Sequence, residues 1–228
     1  MSRETDSALR VGVEMKKKLF AEFLGTFTLI FLGAGAIVSG KADLAGVAFA
    51  HGLAIFVMVS ALAGISGAHF NPAVSAAMFA TKRIDINQFF QFVIAQLLGA
   101  TTASLLLNYI YGHGNGYGLT KIAAGTSSGQ GLVAEALGTA ILLFVIFGVA
   151  VDKRGPFSTL SGLPIGLTIT AIIFSVGPIT GAALNPARWF GPALVSGDWS
   201  NGWVFILGPI AGAIAAAFTY TYFAKPKN

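Results

Sequence analysis

Hydrophobic residues fall into six runs along the chain, each about as long as a bilayer crossing requires. A helix needs about 20 apolar residues to span the hydrocarbon core. The runs cover residues 19–38, 44–65, 87–111, 131–151, 160–178 and 202–223. The pattern predicts an all-α membrane protein. Its six transmembrane helices would form a single transmembrane domain over residues 1–228.

Two shorter apolar stretches lie between these runs, and each begins with the same tripeptide. The copies are Asn71-Pro72-Ala73 and Asn185-Pro186-Ala187. Asn is a strong helix N-cap and Pro is favoured in the first turn, so both copies predict helix starts. The first helix, about 72–80, reaches only about 14 Å; the second covers about 186–195. We expect two re-entrant half-helices that line a cavity or pack on protein.

The second half of the chain repeats the first. Ala21-Glu22-Phe23-Leu24-Gly25-Thr26 matches Ala134-Glu135-Ala136-Leu137-Gly138-Thr139, 113 positions later, and the tripeptides are 114 positions apart. The repeats, about 16–111 and 131–224, hold three spans each, so the second copy must enter the membrane from the opposite side. An inverted repeat of this kind predicts a functional site near the midplane, where the halves meet.

Basic residues predict the orientation of these spans. Most lie in the N-terminal segment, the second and fourth connections and the C-terminal tail: Lys16, Lys17, Lys18, Lys82, Arg83, Lys153, Arg154, Lys225 and Lys227. With six spans these segments share one side, whereas only Lys41 and Lys121 lie on the other. The positive-inside rule predicts cytoplasmic N- and C-terminal tails. The net charge of +5 therefore reflects topology and not nucleic-acid binding, and the short tails and loops indicate a plasma (cell inner) membrane of prokaryotic type.

Several classes of chemistry find no support in the sequence. The chain contains no Cys, which excludes disulfides, thiolate metal sites and Cys nucleophiles. It also shows no phosphate-binding loop, no clustered metal ligands and no nucleophile–base pair. We therefore expect no enzymatic activity, no cofactor and no bound metal.

Polar groups converge where the half-helices are expected to meet. Each half-helix presents the positive end of its dipole at the bilayer centre, and the amides of Asn71 and Asn185 can donate hydrogen bonds into a lumen. The residues before each tripeptide are predicted to be extended, with unpaired carbonyls that line the pore: Gly67, Ala68, His69 and Phe70, and Gly181, Ala182, Ala183 and Leu184. The result would be a narrow polar track on apolar walls, suited to a neutral molecule.

Three ionisable groups fall at membrane depth. Arg188 lies in the first turn of the second half-helix, where the first half has Val74; a charge so placed is costly and predicts a pore-lining role, with a structural ion pair as the alternative. Glu22 and Glu135 occupy matching positions. We expect both to be structural, accepting hydrogen bonds from free N–H groups of the loops; a proton relay is the alternative.

The doubled tripeptide followed by Arg188 resembles the aquaporins, also called major intrinsic proteins. The resemblance extends from Glu22-Phe23-Leu24-Gly25-Thr26 through Ser66-Gly67-Ala68-His69-Phe70 to Gly208-Pro209. It implies passive, bidirectional, single-file permeation in each protomer of a homotetramer. It also implies that the half-helix dipoles and Arg188 exclude protons and cations, as in aquaporin-type pores generally. The side chain of His69 would help to hold its loop, whereas His113 is expected in a solvated loop.

Aligning the motifs assigns a four-residue selectivity filter to His51, Ile173, Ala182 and Arg188. Water-specific members usually have Phe, His, a small residue and Arg, so we expect a wider and less polar filter here. The set resembles that of some plant vacuolar-membrane aquaporins, which pass water and solutes such as ammonia or urea, and archaeal-type members also have Ile at the position of Ile173. Thr120 replaces the additional His of some ammonia-permeable members. Trp189 replaces the Asp that usually follows the filter Arg in glycerol facilitators.

These observations favour a water channel in the lipid bilayer that is also permeable to small neutral solutes. One alternative is a channel mainly for glycerol, urea or ammonia. Another is a coupled secondary transporter, since such proteins also use inverted repeats and broken helices. A membrane adhesion or scaffold protein is a third class, which the short external connections disfavour.

Overall fold

The computed structural model describes residues 3–114, 116–154 and 159–224. Within these ranges the chain is helical and contains no β-strand. The basic residues Lys225 and Lys227 lie outside the described part. The helices are α1 (Arg3–Leu29), α2 (Gly35–Val38), α3 (Leu44–Ser66), α4 (Pro72–Ala80), α5 (Ile86–Tyr111), α6 (Ser128–Ile146), α7 (Gly162–Thr180), α8 (Pro186–Ser196) and α9 (Gly202–Phe223).

Six of the described segments are long and apolar enough to cross a membrane, which confirms the predicted number of spans. They are Gly12–Val38, Leu44–Ser66, Ile86–Tyr111, Ser128–Val151, Gly162–Thr180 and Gly202–Phe223. The largest differences from the prediction are at the N-terminal side. Helix α1 begins at Arg3, within the polar segment expected to be a tail. The fifth span was predicted to end at Pro178 but continues for two more residues. Pro178 lies inside α7, and the helix ends at Gly181, whose φ is +83°.

Two spans contain a π-helical turn that the sequence pattern did not predict. Ile30–Ala34 joins α1 to α2 within the first span, and Phe147–Val151 ends the fourth span after α6. A π-turn inserts one extra residue into a helix and locally widens it. Both turns lie late in the first span of a repeat, so the two halves share this irregularity.

The packing of the spans follows the inverted repeat. Helix α1 packs against α5 in the first half, and α6 packs against α9 in the second half. Helices α3 and α7 pair across the two halves. Each half-helix contacts the last span of the opposite half, α4 against α9 and α8 against α5. The re-entrant helices are therefore held in place by the other repeat.

Two glycines at matching positions let these helices approach closely. A Cβ on Gly99 would lie 3.1 Å from the backbone nitrogen of Phe27, and a Cβ on Gly212 would lie 2.8 Å from the carbonyl carbon of Ala136. Both neighbours are backbone atoms, which cannot rotate away as a flexible side chain can. Small residues serve helix packing in lipid in this way.

We predict that Gly212→Ala destabilises the protein, because the added methyl group forces α6 and α9 apart. Overpacking of this kind costs about 1–3 kcal/mol. Gly64→Ala is the matched control: Gly64 is also helical, but no atom lies within 4 Å of a Cβ placed there. Thermal unfolding in detergent should show a lower midpoint for Gly212→Ala and an unchanged or higher one for Gly64→Ala. Equal midpoints would contradict the close approach of the two helices.

Candidate pore and selectivity filter

The loops before the two half-helices share an unusual backbone. After the left-handed Gly67 and Gly181, which end α3 and α7, each loop contains two non-glycine residues with positive φ. They are Ala68 (+52°) and Phe70 (+50°) in the first loop, and Ala182 (+49°) and Leu184 (+55°) in the second. The predicted extended conformation is therefore wrong, because three of the four residues in each predicted segment have positive φ. Each such residue costs about 1–3 kcal/mol, so the surroundings must hold these loops in place.

A buried carboxylate stabilises the first loop. Oε1 of Glu22 accepts hydrogen bonds from the Ser66 hydroxyl (2.6 Å) and the His69 N–H (3.0 Å). Oε2 accepts from the Phe70 N–H (2.7 Å) and the Gln96 side-chain amide (2.7 Å). Because the N–H and C=O groups of a trans peptide point in opposite directions, the carbonyls of Ala68 and His69 point away from Glu22.

The second loop repeats this arrangement around Glu135. Its carboxylate accepts from the Thr180 hydroxyl (2.6 Å), the Ala183 N–H (2.9 Å) and the Leu184 N–H (2.7 Å). The carbonyls of Ala182 and Ala183 therefore point away from it. Glu22 and Glu135 are both fully buried, and neither is among the residues that line the central cavity.

The two half-helices are joined at their N-termini by a crossed pair of hydrogen bonds. Nδ2 of Asn71 donates to the Leu184 carbonyl (2.8 Å), and Nδ2 of Asn185 donates to the Phe70 carbonyl (2.9 Å). The Oδ1 atoms cap the helices by accepting from the N–H groups of Ala73 and Ala187. Each Asn amide has two N–H hydrogens, so one on each residue remains for another acceptor.

A cavity of about 380 Å³ passes this junction. Among the predicted site residues, it is lined by Gly67, Ala68, His69, Phe70, Asn71, Ala183, Leu184, Asn185 and the four filter residues His51, Ile173, Ala182 and Arg188. Beyond the junction it extends to Lys18, Arg83 and Ser161. Its walls are otherwise largely aliphatic, with Ile55, Val59, Val74, Leu142, Ile146, Ile165 and Ile169.

Other predicted positions lie elsewhere. Gly181 packs against Thr120 and is not among the residues that line the cavity. The Pro and Ala residues of the two tripeptides, Pro72, Ala73, Pro186 and Ala187, are buried in the first turns of α4 and α8. His113 is exposed, as expected for a loop residue, with Nδ1 3.5 Å from the Tyr117 hydroxyl.

Arg188 and His51 give the cavity lining a donor group and an acceptor group. Nη1 of Arg188 donates to the Gly118 carbonyl (2.7 Å), while its buried Nε and Nη2 have no partner among the described residues. Nδ1 of His51 lies 2.8 Å from the Val47 carbonyl. Because a carbonyl only accepts, Nδ1 carries the proton, and in a neutral ring Nε2 is an acceptor. Nε2 of His51 is likewise buried, and no described residue forms a hydrogen bond with it.

The sequence did not predict the roles of Gln96 and Gly118, which bind the side chains of Glu22 and Arg188. Gln96 donates from Nε2 to both Glu22 (2.7 Å) and the Ser75 hydroxyl (3.0 Å), and Ser75 also contacts Nδ1 of His69 (3.0 Å). An amide within the otherwise apolar stretch 92–100 was the signal that could have identified Gln96. Gly118, the acceptor for Arg188, lies in a glycine-rich loop that offers no such signal.

Comparison with known proteins identifies the family. The family model described as major intrinsic protein matches residues 10–220. The chain belongs to this family, the aquaporins. It is therefore a multi-pass membrane channel and not an enzyme, as predicted.

Relatives of this aquaporin occur in plants and archaea. It is 43% identical to aquaporin NIP1-1 of Zea mays over 219 residues, which cover 94% of this chain and 77% of that protein. It is 37% identical to aquaporin AqpM of Methanothermobacter marburgensis, with 92% and 98% covered. The X-ray structure of the aquaglyceroporin from Plasmodium falciparum superimposes with a TM-score of 0.81 at 30% identity, with 90% and 95% covered.

We predict that Glu22→Gln destabilises this aquaporin, because the new NH₂ group would face a donor that the carboxylate now accepts from. A buried donor left without a partner costs about 1–3 kcal/mol. Glu14→Gln makes the same chemical change in an exposed pair with Lys17, where ion pairs contribute little. Thermal unfolding in detergent should show a lower midpoint for Glu22→Gln alone. Identical midpoints would argue against a structural role for the buried carboxylate.

Proposed function

We propose that this aquaporin is a passive water channel that also passes small uncharged solutes and excludes protons and ions. The main support is the cavity that passes the junction of the two half-helix N-termini and is also lined by Arg188 and His51. It offers hydrogen bonds at a few positions along aliphatic walls. A neutral polar molecule can exchange its water contacts for these groups, whereas an ion would lose most of its hydration.

Asn71 and Asn185 are the proposed central donors. Each has one amide hydrogen free after the crossed bonds to Leu184 and Phe70. A water oxygen that accepts from both would turn its own hydrogens toward the two ends of the pore. The water chain would then lack a continuous run of hydrogen bonds in one direction, and both helix dipoles would repel a cation at the same place.

The proposed filter consists of His51, Ile173, Ala182 and Arg188, all of which line the cavity. The free Nε and Nη2 of Arg188 would donate to the permeating molecule, and Nε2 of His51 would accept from it. Ile173 offers no hydrogen bond and Ala182 little bulk, which supports passage of solutes larger than water. The same apolar and small residues also suit a channel mainly for urea, ammonia or glycerol, which is the second candidate.

The buried carboxylates argue against a coupled transporter. A proton relay must exchange protons with the lumen, but Glu22 and Glu135 do not line the cavity. Their oxygens accept hydrogen bonds from loop N–H groups and neighbouring side chains. Protonation during each transport cycle would break bonds that hold the pore lining.

We also propose that the protein is a homotetramer in the plasma (cell inner) membrane, with both termini cytoplasmic. The tetramer rests on family membership alone. The orientation is supported by Lys18 and Arg83, which both line the cavity. Lys18 lies near the start of the first span and Arg83 just before the third, so the two share one side, and basic residues favour the cytoplasmic side. Arg188 and His51 would then lie toward the exterior.

The direct test is stopped-flow light scattering of vesicles containing the purified protein, with water, urea, glycerol and ammonia measured in parallel. We expect fast osmotic shrinkage with a low activation energy, together with measurable entry of at least one small solute. Shrinkage no faster than in empty vesicles would reject the water channel. Uptake that follows an imposed pH gradient would instead support the transporter.

We predict that Arg188→Val widens the proposed filter and removes its charge, so that glycerol and urea permeability rise and cations begin to leak. The same vesicles, loaded with a pH-sensitive dye, report the leak. Lys121→Val is the control, because Lys121 is exposed and paired with Asp198 (2.7 Å) away from the cavity. Unchanged solute selectivity in Arg188→Val would reject the assigned role.

A further inference from the structure

The π-helical turn Ile30–Ala34 contacts the proposed filter. Gly33, a buried residue of this turn, lies directly against the ring of His51. A Cβ on Gly33 would be 2.5 Å from Cδ2, 2.6 Å from Nε2 and 2.7 Å from Cγ of that ring. Atoms cannot approach so closely, so the ring occupies space that only a glycine leaves open.

The ring has little freedom to avoid an added methyl group. Its Nδ1 is bound to the Val47 carbonyl at 2.8 Å, one turn back on its own helix. Cγ, Cδ2 and Nε2 are the ring atoms closest to Gly33 of the first span. His51 also lines the cavity, together with Ile173 and Arg188. A side chain at Gly33 would therefore push the imidazole into the pore and cover Nε2.

The same turn also supports the group that holds Arg188. Ala34 packs against Gly118, where a Cβ would lie 2.6 Å from that of Ala34. The Gly118 carbonyl accepts the hydrogen bond from Nη1 of Arg188 at 2.7 Å. Gly33 thus contacts His51, the acceptor of the filter, directly. Its neighbour Ala34 contacts Gly118, which binds Arg188, the donor of the filter.

We propose that Gly33 is a positioning residue for solute selection: the space it leaves sets how far the His51 ring extends into the pore. This inference rests on the proposed function and on the filter assignment. It adds that the width of the filter is controlled from the first span, which contributes no filter residue of its own. The π-turn brings Gly33 to this position.

The test compares Gly33→Ala with Gly148→Ala in vesicles. Gly148 lies in the other π-turn, Phe147–Val151, and the three atoms nearest to a Cβ there would all belong to Tyr220, at 3.5 Å or more, an ordinary contact. We expect urea permeability to fall about tenfold in Gly33→Ala, as a barrier increase of about 1.4 kcal/mol would produce. Water permeability should fall less, and Gly148→Ala should resemble the parent protein.

A double variant separates positioning from a general defect. In a His51→Ala background the ring is absent, so adding Gly33→Ala should leave the urea-to-water ratio unchanged. If Gly33→Ala alone does not fold, the pair Gly33→Ala with His51→Ala should restore folding, because the clash is gone. The inference would be overturned if Gly33→Ala lowered urea permeability equally with and without the His51 ring. It would also be overturned if the double variant failed to fold. Failure of the parent protein to conduct water would instead reject the proposed function.

Discussion

The architecture depends on hydrogen bonds from strained loops to two buried carboxylates. Ala68, Phe70, Ala182 and Leu184 adopt left-handed conformations that L-residues ordinarily avoid. The N–H groups exposed by this backbone would be unsatisfied in the interior of a membrane protein. Glu22 and Glu135 accept hydrogen bonds from these N–H groups. These bonds offset both the strain of the loops and the cost of burying the carboxylates. Each carboxylate and its loop form a unit that occurs once in each repeat.

The geometry of the pore follows from these two units. Because the N–H groups face the carboxylates, the carbonyls of the same peptides face away from them. The loops also set the N-termini of α4 and α8, where the crossed bonds from Asn71 and Asn185 join the halves. The symmetry ends at Arg188, whose equivalent in the other repeat is Val74. Gln96 likewise has no counterpart, since Pro209 occupies the equivalent position. The centre is therefore built alike by both halves, whereas Arg188 and Gln96 each occur in one half only.

The sequence predicted those features that depend on periodicity or on paired motifs. Span length, the start of each half-helix and the inverted repeat follow from apolar runs and from Asn-Pro-Ala, and the structure confirms this fold. The loop conformation was mispredicted, because left-handed Ala, Phe and Leu are stabilised by distant carboxylates and not by local preference. The π-turn at Ile30–Ala34 and the bond from Arg188 to Gly118 depend on contacts between segments far apart in sequence. No local pattern encodes such contacts.

Water is proposed to pass the Asn71–Asn185 junction while protons do not. Water and proton flux can be recorded together in vesicles that contain the protein and a trapped pH-sensitive dye. We expect rapid osmotic shrinkage under an imposed pH gradient, with proton entry no faster than in empty vesicles. Proton entry that increases in proportion to the amount of reconstituted protein would contradict this proposal.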